Sequence, residues 1–96
     1  MITKDVVVEN ETGLYARPAT FFTQKANEYK STIWIQYNDK RVNAKSLLGV
    51  LSLGVVKGGN ISIIAEGIDE QEAVEGIVHV VSTHFAQYFA DNVSNN

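Results

Sequence analysis

The sequence predicts an α+β domain of two layers, in which a four-stranded sheet carries three helices on one face. The predicted elements follow one another as strand, helix, strand, strand, short helix, strand and helix. Each strand has one apolar face and each long helix has one apolar stripe, so a single core between the layers satisfies all of them. A chain of 96 residues with 45% apolar residues is enough for one such core. We therefore expect one domain at residues 1–91 and a flexible polar tail at residues 92–96.

Composition narrows the class of protein further. The formal net charge is −3, and the eight basic residues are dispersed along the chain, so no basic stripe is available for direct binding of nucleic acid. The chain has no cysteine, and its sequence contains neither an apolar run of membrane-spanning length nor a leader-like start. We expect a cytoplasmic protein that contacts neither membrane nor nucleic acid and needs no cofactor or metal.

The first half of the chain alternates between strand and helix signals. Three consecutive valines predict a strand at residues 2–9, and residues 10–13 have turn chemistry. The apolar period then changes to three and four residues, which predicts a helix at residues 16–27 with Pro18 in its opening turn. Strict alternation predicts a half-buried strand at residues 31–37.

The middle of the chain predicts a hairpin and a short helix. Residues 40–43 suit a short edge strand that pairs with the strand before it. Ser46 is a natural N-cap for a short helix that ends near Leu53 and Gly54. The last strand is predicted at residues 60–66 from its alternating pattern.

The final helix is predicted to begin at Asp69, because Glu72 three residues later would complete an acidic capping box. Gly76 weakens this helix by about 1 kcal/mol relative to alanine, and the β-branched residues after it are also unfavourable. The cap outweighs both, together with an apolar stripe formed by Val74, Ile77, Val81 and Phe85. We expect the helix to continue for a further turn, since Tyr88 and Phe89 follow the stripe.

Residues 13–20, Gly-Leu-Tyr-Ala-Arg-Pro-Ala-Thr, form the junction between the first strand and the first helix. The amides left free at such a helix start, with Arg17 beside them, predict a small anion-binding pocket. Tyr15 lies at its lip, and a phenol with an unperturbed pKa of about 10 is poorly suited to phosphoryl transfer. His79 and His84 are about 140° apart around the final helix. They therefore neither replace such a nucleophile nor form a metal pair.

Two segments give the chain its resemblance to the HPr family, the small phosphocarriers of the bacterial sugar phosphotransferase system. They are residues 13–20 and residues 43–54, Asn-Ala-Lys-Ser-Leu-Leu-Gly-Val-Leu-Ser-Leu-Gly, and the resemblance extends over residues 1–85. It implies an open-faced β-sandwich with an antiparallel sheet of order 1-4-2-3. The family has a histidine where this chain has Tyr15, and that histidine carries phosphate from enzyme I to sugar-specific partners. A tyrosine phosphate ester transfers far less readily, so the resemblance implies that carrier chemistry is absent here.

The resemblance also implies a regulatory role for Ser46, as in the Crh type of the family, which lacks the histidine and keeps the serine. In such proteins HPr kinase/phosphorylase phosphorylates this serine with ATP, and the phosphoserine form binds the transcriptional regulator CcpA as a corepressor. A phosphate at a helix N-terminus is favoured by the helix dipole and offers acceptors to a partner's basic residues. The implied partner-binding residues are Tyr15, Arg17, Thr20, Leu47, Leu48 and Leu51.

Other interpretations of the same residues stay open. Ser46 taken alone is a helix N-cap and no more, and at least one of the three leucines could belong to the core. Arg17 is either a solvated helix-start residue or a partner for a phosphate on Ser46, in its own chain or in a complex. A second class of function is a phosphocarrier in which Tyr15 replaces the acceptor, naturally or by engineering. A third is a small acyl-phosphate hydrolase, with Arg17 and Asn43 binding phosphate and positioning water.

The sheet face without helices is a further candidate surface. With the implied sheet order, Val7, Ile64 and Trp34 lie on adjacent strands and point to that face. Ordinary cross-strand pairing explains such a stripe as well as a binding surface does, and we hypothesise weak self-association or a partner site there. The first strand is also a sheet edge, so its exchange between two copies would give a dimer.

Overall fold

A computed structural model describes residues 1–83 and 85 of the chain. The elements within them are β1 (Ile2–Val8), α1 (Ala16–Ala26), β2 (Thr32–Tyr37), β3 (Lys40–Asn43), α2 (Leu47–Ser52), β4 (Gly59–Glu66) and α3 (Glu70–Ser82). The sheet has the order β1-β4-β2-β3, and every neighbouring pair is antiparallel. The predicted fold class, element order and sheet order are therefore confirmed.

The core lies between one face of the sheet and the three helices. The fully buried strand residues on that face are Val8, Ile33, Ile35, Ile61, Ile63 and Ala65. The helices bring Phe22, Val50, Val74, Ile77 and Val81 to the same core. Burial therefore follows a two-residue period in the strands and a three- and four-residue period in the long helices, as the sequence predicts.

The end of α3 differs from the prediction. The helix ends at Ser82. Phe85 has a φ of 58°, in the left-handed region, which is incompatible with a right-handed helix. Its amide donates to the Val80 carbonyl at 2.9 Å, and its ring meets Phe21 of α1 edge-on, with 6.3 Å between ring centroids. The expected helical path through this residue is wrong, because turning the chain here buries the Phe85 ring completely. Tyr88, Phe89 and residues 92–96 lie outside the described residues.

The predicted capping box at the start of α3 does not form. Asp69 is the N-cap residue, but its side chain makes no capping hydrogen bond. Its carboxylate accepts instead from the Lys30 amide at 2.8 Å, the Ser31 amide at 2.9 Å and the Ser31 hydroxyl at 2.5 Å. The hydrogen bond from the Ser31 hydroxyl, followed by that from the Lys30 amide, lowers the pKa of Asp69. The Asp69 carboxylate therefore binds Lys30 and Ser31, which are distant in sequence, and not the first amides of α3, as the capping-box pattern predicts.

Gly76 lies in α3 because of a neighbour that is distant in sequence. A Cβ on this residue would come within 2.1 Å of the Tyr29 hydroxyl oxygen. The tyrosine follows α1, and the Lys25 Nζ lies 5.5 Å from its ring centre. The absence of a Cβ at Gly76 thus allows α3 to pack closely against the residues that follow α1. The cost is about 1 kcal/mol of helix propensity.

The helix-free face of the sheet also needs one correction. Ile64 is the cross-strand partner of Thr3 and Trp34, whereas Val7 pairs with Asn60. Val7 and Ile64 therefore share a face but lie in different cross-strand rows, and the three apolar residues do not form one stripe. Ile64 is only 3% exposed even though none of the described helices covers it, while Val7 is 43% exposed.

Candidate functional site

The turn before α1 is locked to the segment that follows α2. Gly13 has a φ of 61° and donates its amide to Asn10, and the Asn10 side-chain amide donates back to the Gly13 carbonyl at 2.7 Å. The Leu14 amide donates to the Val55 carbonyl at 3.0 Å. A Cβ on Gly13 would lie 2.2 Å from that same carbonyl oxygen. The close approach and the positive φ both require glycine at this position.

Tyr15 and Ala16 form the helix start. Tyr15 is extended, with φ −138° and ψ 154°, and its side chain caps no helix amide. It is 67% exposed. Ala16 has a φ of 54°, a conformation that costs a residue with a Cβ on the order of 1 kcal/mol. The backbone of the junction therefore includes an uncommon left-handed conformation at Ala16, whereas the Tyr15 side chain points into solvent.

Arg17 and Thr20 follow on α1. Arg17 is exposed, and within residues 1–83 and 85 its side chain makes no hydrogen bond or ion pair. Thr20 is half-buried and donates its hydroxyl to the Ala16 carbonyl at 3.3 Å. The arginine is therefore available to a partner, whereas the threonine hydroxyl is occupied within its own helix.

Ser46 occupies the N-cap of α2, as predicted. Its Oγ accepts from the Gly49 amide at 3.1 Å, and its carbonyl accepts from the Val50 amide at 3.0 Å. The residue before it is tied to the end of α1: Lys45 donates its Nζ to the Tyr29 carbonyl at 2.7 Å, and its own carbonyl accepts from the Asn27 side chain at 3.2 Å. The serine thus sits in a loop that side-chain hydrogen bonds hold in place.

The three leucines of α2 differ in exposure. Leu48 is 81% exposed and Leu47 is 37% exposed, while Leu51 is half-buried and packs against the core. Exposed leucines beside a half-buried one give an apolar surface that continues into the core. Leu47 and Leu48 are thus exposed, as the predicted contact patch requires, and Leu51 is the leucine that belongs in part to the core.

A groove beside Tyr15 was not expected from the sequence. It has a volume of about 360 Å³, and its lining residues are Thr12, Leu14, Tyr15, Gly54, Val55 and Val56. Val56 is 62% exposed. The sequence signal for this groove is the valine pair Val55 and Val56, which lies in the glycine-rich loop after α2 and belongs to no predicted strand or helix.

The two ends of α2 therefore meet opposite ends of α1. The segment after α2 contacts the start of α1 through Leu14 and Val55, whereas Lys45, just before α2, contacts the end of α1. The six residues of α2 span about 9 Å. Arg17 and Ser46 thus lie at opposite ends of one surface, with the α2 leucines between them.

This placement also bears on the hydrolase interpretation. The Asn43 side chain accepts from the Lys45 amide at 2.8 Å, and its carbonyl accepts from the Ser46 amide at 3.1 Å. Asn43 thus belongs to the Ser46 end of α2, and its side-chain oxygen is already occupied by the loop. The structure does not bring it together with Arg17, so the pair that would hold phosphate and water is not assembled.

Residues 1–83 and 85 contain no group of three or more metal-ligating side chains. His79 is exposed on α3, and His84 lies outside the described residues. None of the described helices is both long enough and apolar enough to cross a membrane.

The architecture and the helix-start surface define a class: small open-faced β-sandwiches that present a site at the start of the first helix. A family model described as the phosphorylation site of the HPr component of the phosphotransferase system matches residues 2–83. The HPr-like protein Crh of Halalkalibacterium halodurans is 49% identical over 81% of this chain and 93% of its own, and Crh of Bacillus subtilis is 44% identical over 84% and 95%.

Solved structures agree with these relatives. HPr-C-His from Thermoanaerobacter tengcongensis is 42% identical and matches with a TM-score of 0.88, over 90% of this chain and 97% of its own. The crystal structure of B. subtilis Crh, described as a dimer with a swapped domain, is 43% identical and matches with a TM-score of 0.70, over 88% and 97%. The chain therefore belongs to the HPr family. Within it the chain is a Crh-like paralogue, in a family of phosphocarrier and regulatory proteins rather than catalysts.

Proposed function

We propose that this protein is a cytoplasmic regulator of carbon catabolite control, switched by phosphorylation of Ser46 rather than by phosphoryl transfer at residue 15. The observation that carries the proposal is Tyr15: it is exposed at the start of α1, at the position where the family resemblance implies a histidine. A phenol there leaves the helix-start backbone intact and removes the nitrogen nucleophile. The Crh relatives, at 44–49% identity, support an HPr-like regulatory role.

Phosphorylation of Ser46 suits the N-terminal end of α2. In the reaction the Oγ–P bond forms, the bond between the γ-phosphorus of ATP and its bridging oxygen breaks, and the hydroxyl proton passes to a base of the kinase. The phosphate adds a charge of about −1.5 to −2 at a helix start, where the first-turn amides and the dipole favour it. Ser46 is half-buried but its neighbours Leu47 and Leu48 are exposed, so an HPr kinase/phosphorylase can reach this end of the helix.

The partner surface that we assign runs along α2. The phosphate on Ser46 lies at one end, Arg17 lies at the other, and Leu47, Leu48 and Leu51 lie between them. A CcpA-type regulator would offer basic residues to the phosphate, an acidic group to Arg17 and an apolar strip to the leucines. Tyr15 and Thr20 extend the surface along α1, with the tyrosine as an aromatic anchor beside the groove.

Self-association is part of this proposal. Solved relatives include dimers of B. subtilis Crh and of HPr from T. tengcongensis. Among the described residues β1 pairs only with β4 and forms one edge of the sheet. Exchange of β1 between two copies would preserve all of its hydrogen bonds, and is therefore an available route to a dimer.

The decisive experiment treats the protein with ATP and HPr kinase and locates phosphate by mass spectrometry. We expect one phosphate on the wild type and none on Ser46→Ala. The matched control is Ser52→Ala, at the other end of α2, where the hydroxyl only donates to the Gly49 carbonyl; this variant should be phosphorylated normally. Binding to CcpA should then require the phosphate and weaken when Arg17 is replaced by alanine.

A phosphocarrier with a replaced acceptor is the second candidate, and the match to the family's phosphorylation-site model favours testing it. The protein is incubated with phosphoenolpyruvate and enzyme I, with an ordinary HPr as the positive control. A stable phosphate on Tyr15 would overturn the regulatory proposal. No product from this reaction, together with phosphoserine from the kinase, would support it.

A further inference from the structure

The helix-free face of the sheet carries two ordered cross-strand rows. The first, which we call the Trp34 row, runs from β1 to β3 through Thr3, Ile64, Trp34 and Asn43. The second, the Asp5 row, runs in the same direction through Asp5, Ser62, Gln36 and Arg41. The rows are two residues apart along the strands, so they lie side by side on one face.

The Asp5 row has opposite charges at its two ends. The Ser62 hydroxyl donates to the Asp5 carboxylate at 2.6 Å, and the Arg41 guanidinium donates twice to the Gln36 side-chain oxygen, at 3.1 and 3.0 Å. These bonds hold a carboxylate over β1 and a guanidinium over β3, three strand spacings or about 14 Å apart. Among the described residues, neither Asp5 nor Arg41 has a partner of opposite charge.

The Trp34 row is apolar at its centre and polar at its ends. Ile64 is 3% exposed and Trp34 is half-buried, while Thr3 and Asn43 at the two edges are exposed. The only tryptophan of the chain thus lies at the middle of a face that no helix covers. Large aromatic side chains in such central positions are the residues that dominate protein interfaces.

The face is complementary to itself under one two-fold rotation. Its axis runs parallel to the strands and lies above the helix-free face, over the line between β4 and β2. The rotation puts β1 of each copy opposite β3 of the other. Asp5 then faces Arg41 of the second copy, and the same pair forms again at the other edge. In the neighbouring row, Trp34 faces Ile64 of the second copy, also twice. An axis across the strands would place Asp5 opposite Asp5, so the charges select the first arrangement.

We infer that the helix-free face binds the same face of a second copy, through two Asp5–Arg41 ion pairs around a centre formed by the two Trp34 side chains. Four strands about 4.8 Å apart and about 20 Å long bury roughly 400 Å² per copy, about half of what a stable interface buries. The dimer is therefore weak and exchanges quickly. It needs neither phosphorylation of Ser46 nor exchange of β1, and it leaves the α1 and α2 surface free.

Charge reversal tests the arrangement by sedimentation equilibrium up to millimolar protein at low salt. The wild type should associate, and 0.5 M NaCl should weaken the association at least tenfold, because the ion pairs lie at the rim. Asp5→Arg and Arg41→Asp should each stay monomeric alone and should associate when mixed in equal amounts. The double variant should regain the wild-type behaviour. Lys40→Asp is the matched control, since Lys40 lies next to Arg41 on the same strand but on the opposite face.

Several outcomes would overturn the inference. They are a wild type that stays monomeric at millimolar concentration, single variants that associate like the wild type, or a mixture that does not associate. A dimer that survives dilution for hours and ignores both charge reversals would be a β1-exchanged dimer instead. Each variant is first shown to be folded by its thermal unfolding midpoint. The emission of Trp34 gives an independent readout: it should shift to shorter wavelength with concentration in the mixture, and not in either single variant.

Discussion

The two ends of α2 are built in different ways. At the Tyr15 end, backbone geometry sets the shape: Gly13 and Ala16 have positive φ, and Leu14 is bonded to Val55 through main-chain atoms. At the Ser46 end, side chains of Ser46, Lys45 and Asn27 make the contacts. A backbone-built site keeps its form when its exposed side chain changes, so carrier chemistry can be lost without loss of the fold. At the Ser46 end the serine side chain is itself part of the structure, because its Oγ caps α2, so this residue has a structural role in addition to the proposed regulatory one.

The largest effect should come from Gly13→Ala, compared with Gly54→Ala. The two glycines have φ values of 61° and 64°, but a Cβ on Gly13 meets the Val55 carbonyl while a Cβ on Gly54 meets nothing within 4 Å. We expect a loss of about 3 kcal/mol in unfolding free energy for the first and about 1 kcal/mol for the second, measured by urea unfolding. Equal losses would show that the junction is not held by this contact.

Asp69 offers a side-chain-held site away from α2. Its lowered pKa means that the folded state binds the proton less tightly than the unfolded state. The contribution of Asp69 to stability is therefore complete above about pH 4 and is lost as the pH falls through the lowered pKa of the folded state. Asp69→Asn should flatten the acid limb of the stability profile, measured by thermal unfolding between pH 2 and 7. Glu72→Gln, which alters an exposed acid in the same turn, should leave that limb steep.

Ser46→Ala should cost about 1 kcal/mol, since it removes the oxygen that accepts the Gly49 amide. Ser46→Asp keeps an acceptor at the N-cap and should restore most of that stability. Ser52→Ala should change the unfolding free energy by less than about 0.5 kcal/mol. If Ser46→Ala were as stable as the wild type in urea, the Ser46 end would not depend on its side chain.

Tyr15→His should have the smallest effect on stability, within about 0.5 kcal/mol, because the Tyr15 side chain is 67% exposed and caps nothing. The same substitution should create a phosphate acceptor for enzyme I and phosphoenolpyruvate, detected as an acid-labile phosphate by native gel electrophoresis. Tyr15→Phe is the control and should accept none. Failure of Tyr15→His to accept phosphate, with its fold intact, would show that the junction itself has lost carrier geometry.

The sequence predicted those features that depend on local periodicity and local caps. The strands, α1 and the Ser46 cap are determined within a few residues of chain, and they match the structure. The Asp69 capping box was wrong because its real partners, Lys30 and Ser31, lie 38 or 39 residues away. The path at Phe85 was wrong because burial of its ring decides it, not helix propensity.

The candidate site divides in the same way. Residue types and motif spacing predict Tyr15, Arg17 and Ser46 as site residues, but which end of α2 lies beside which end of α1 is known only from the hydrogen bonds between their flanking segments. The groove formed with Val55 and Val56 was missed because its walls come from two loops that meet only in the folded chain.

The length of α2 fixes the distance between two parts of the surface that a binding protein can contact. Its six residues span about 9 Å between Ser46 at one end and the groove beside Tyr15 at the other. A protein with a small contact surface binds at one end of α2 only, whereas a protein that spans the helix contacts both ends. Under the proposed function, the kinase and the regulator both contact Ser46 and differ in how far along α2 each one extends.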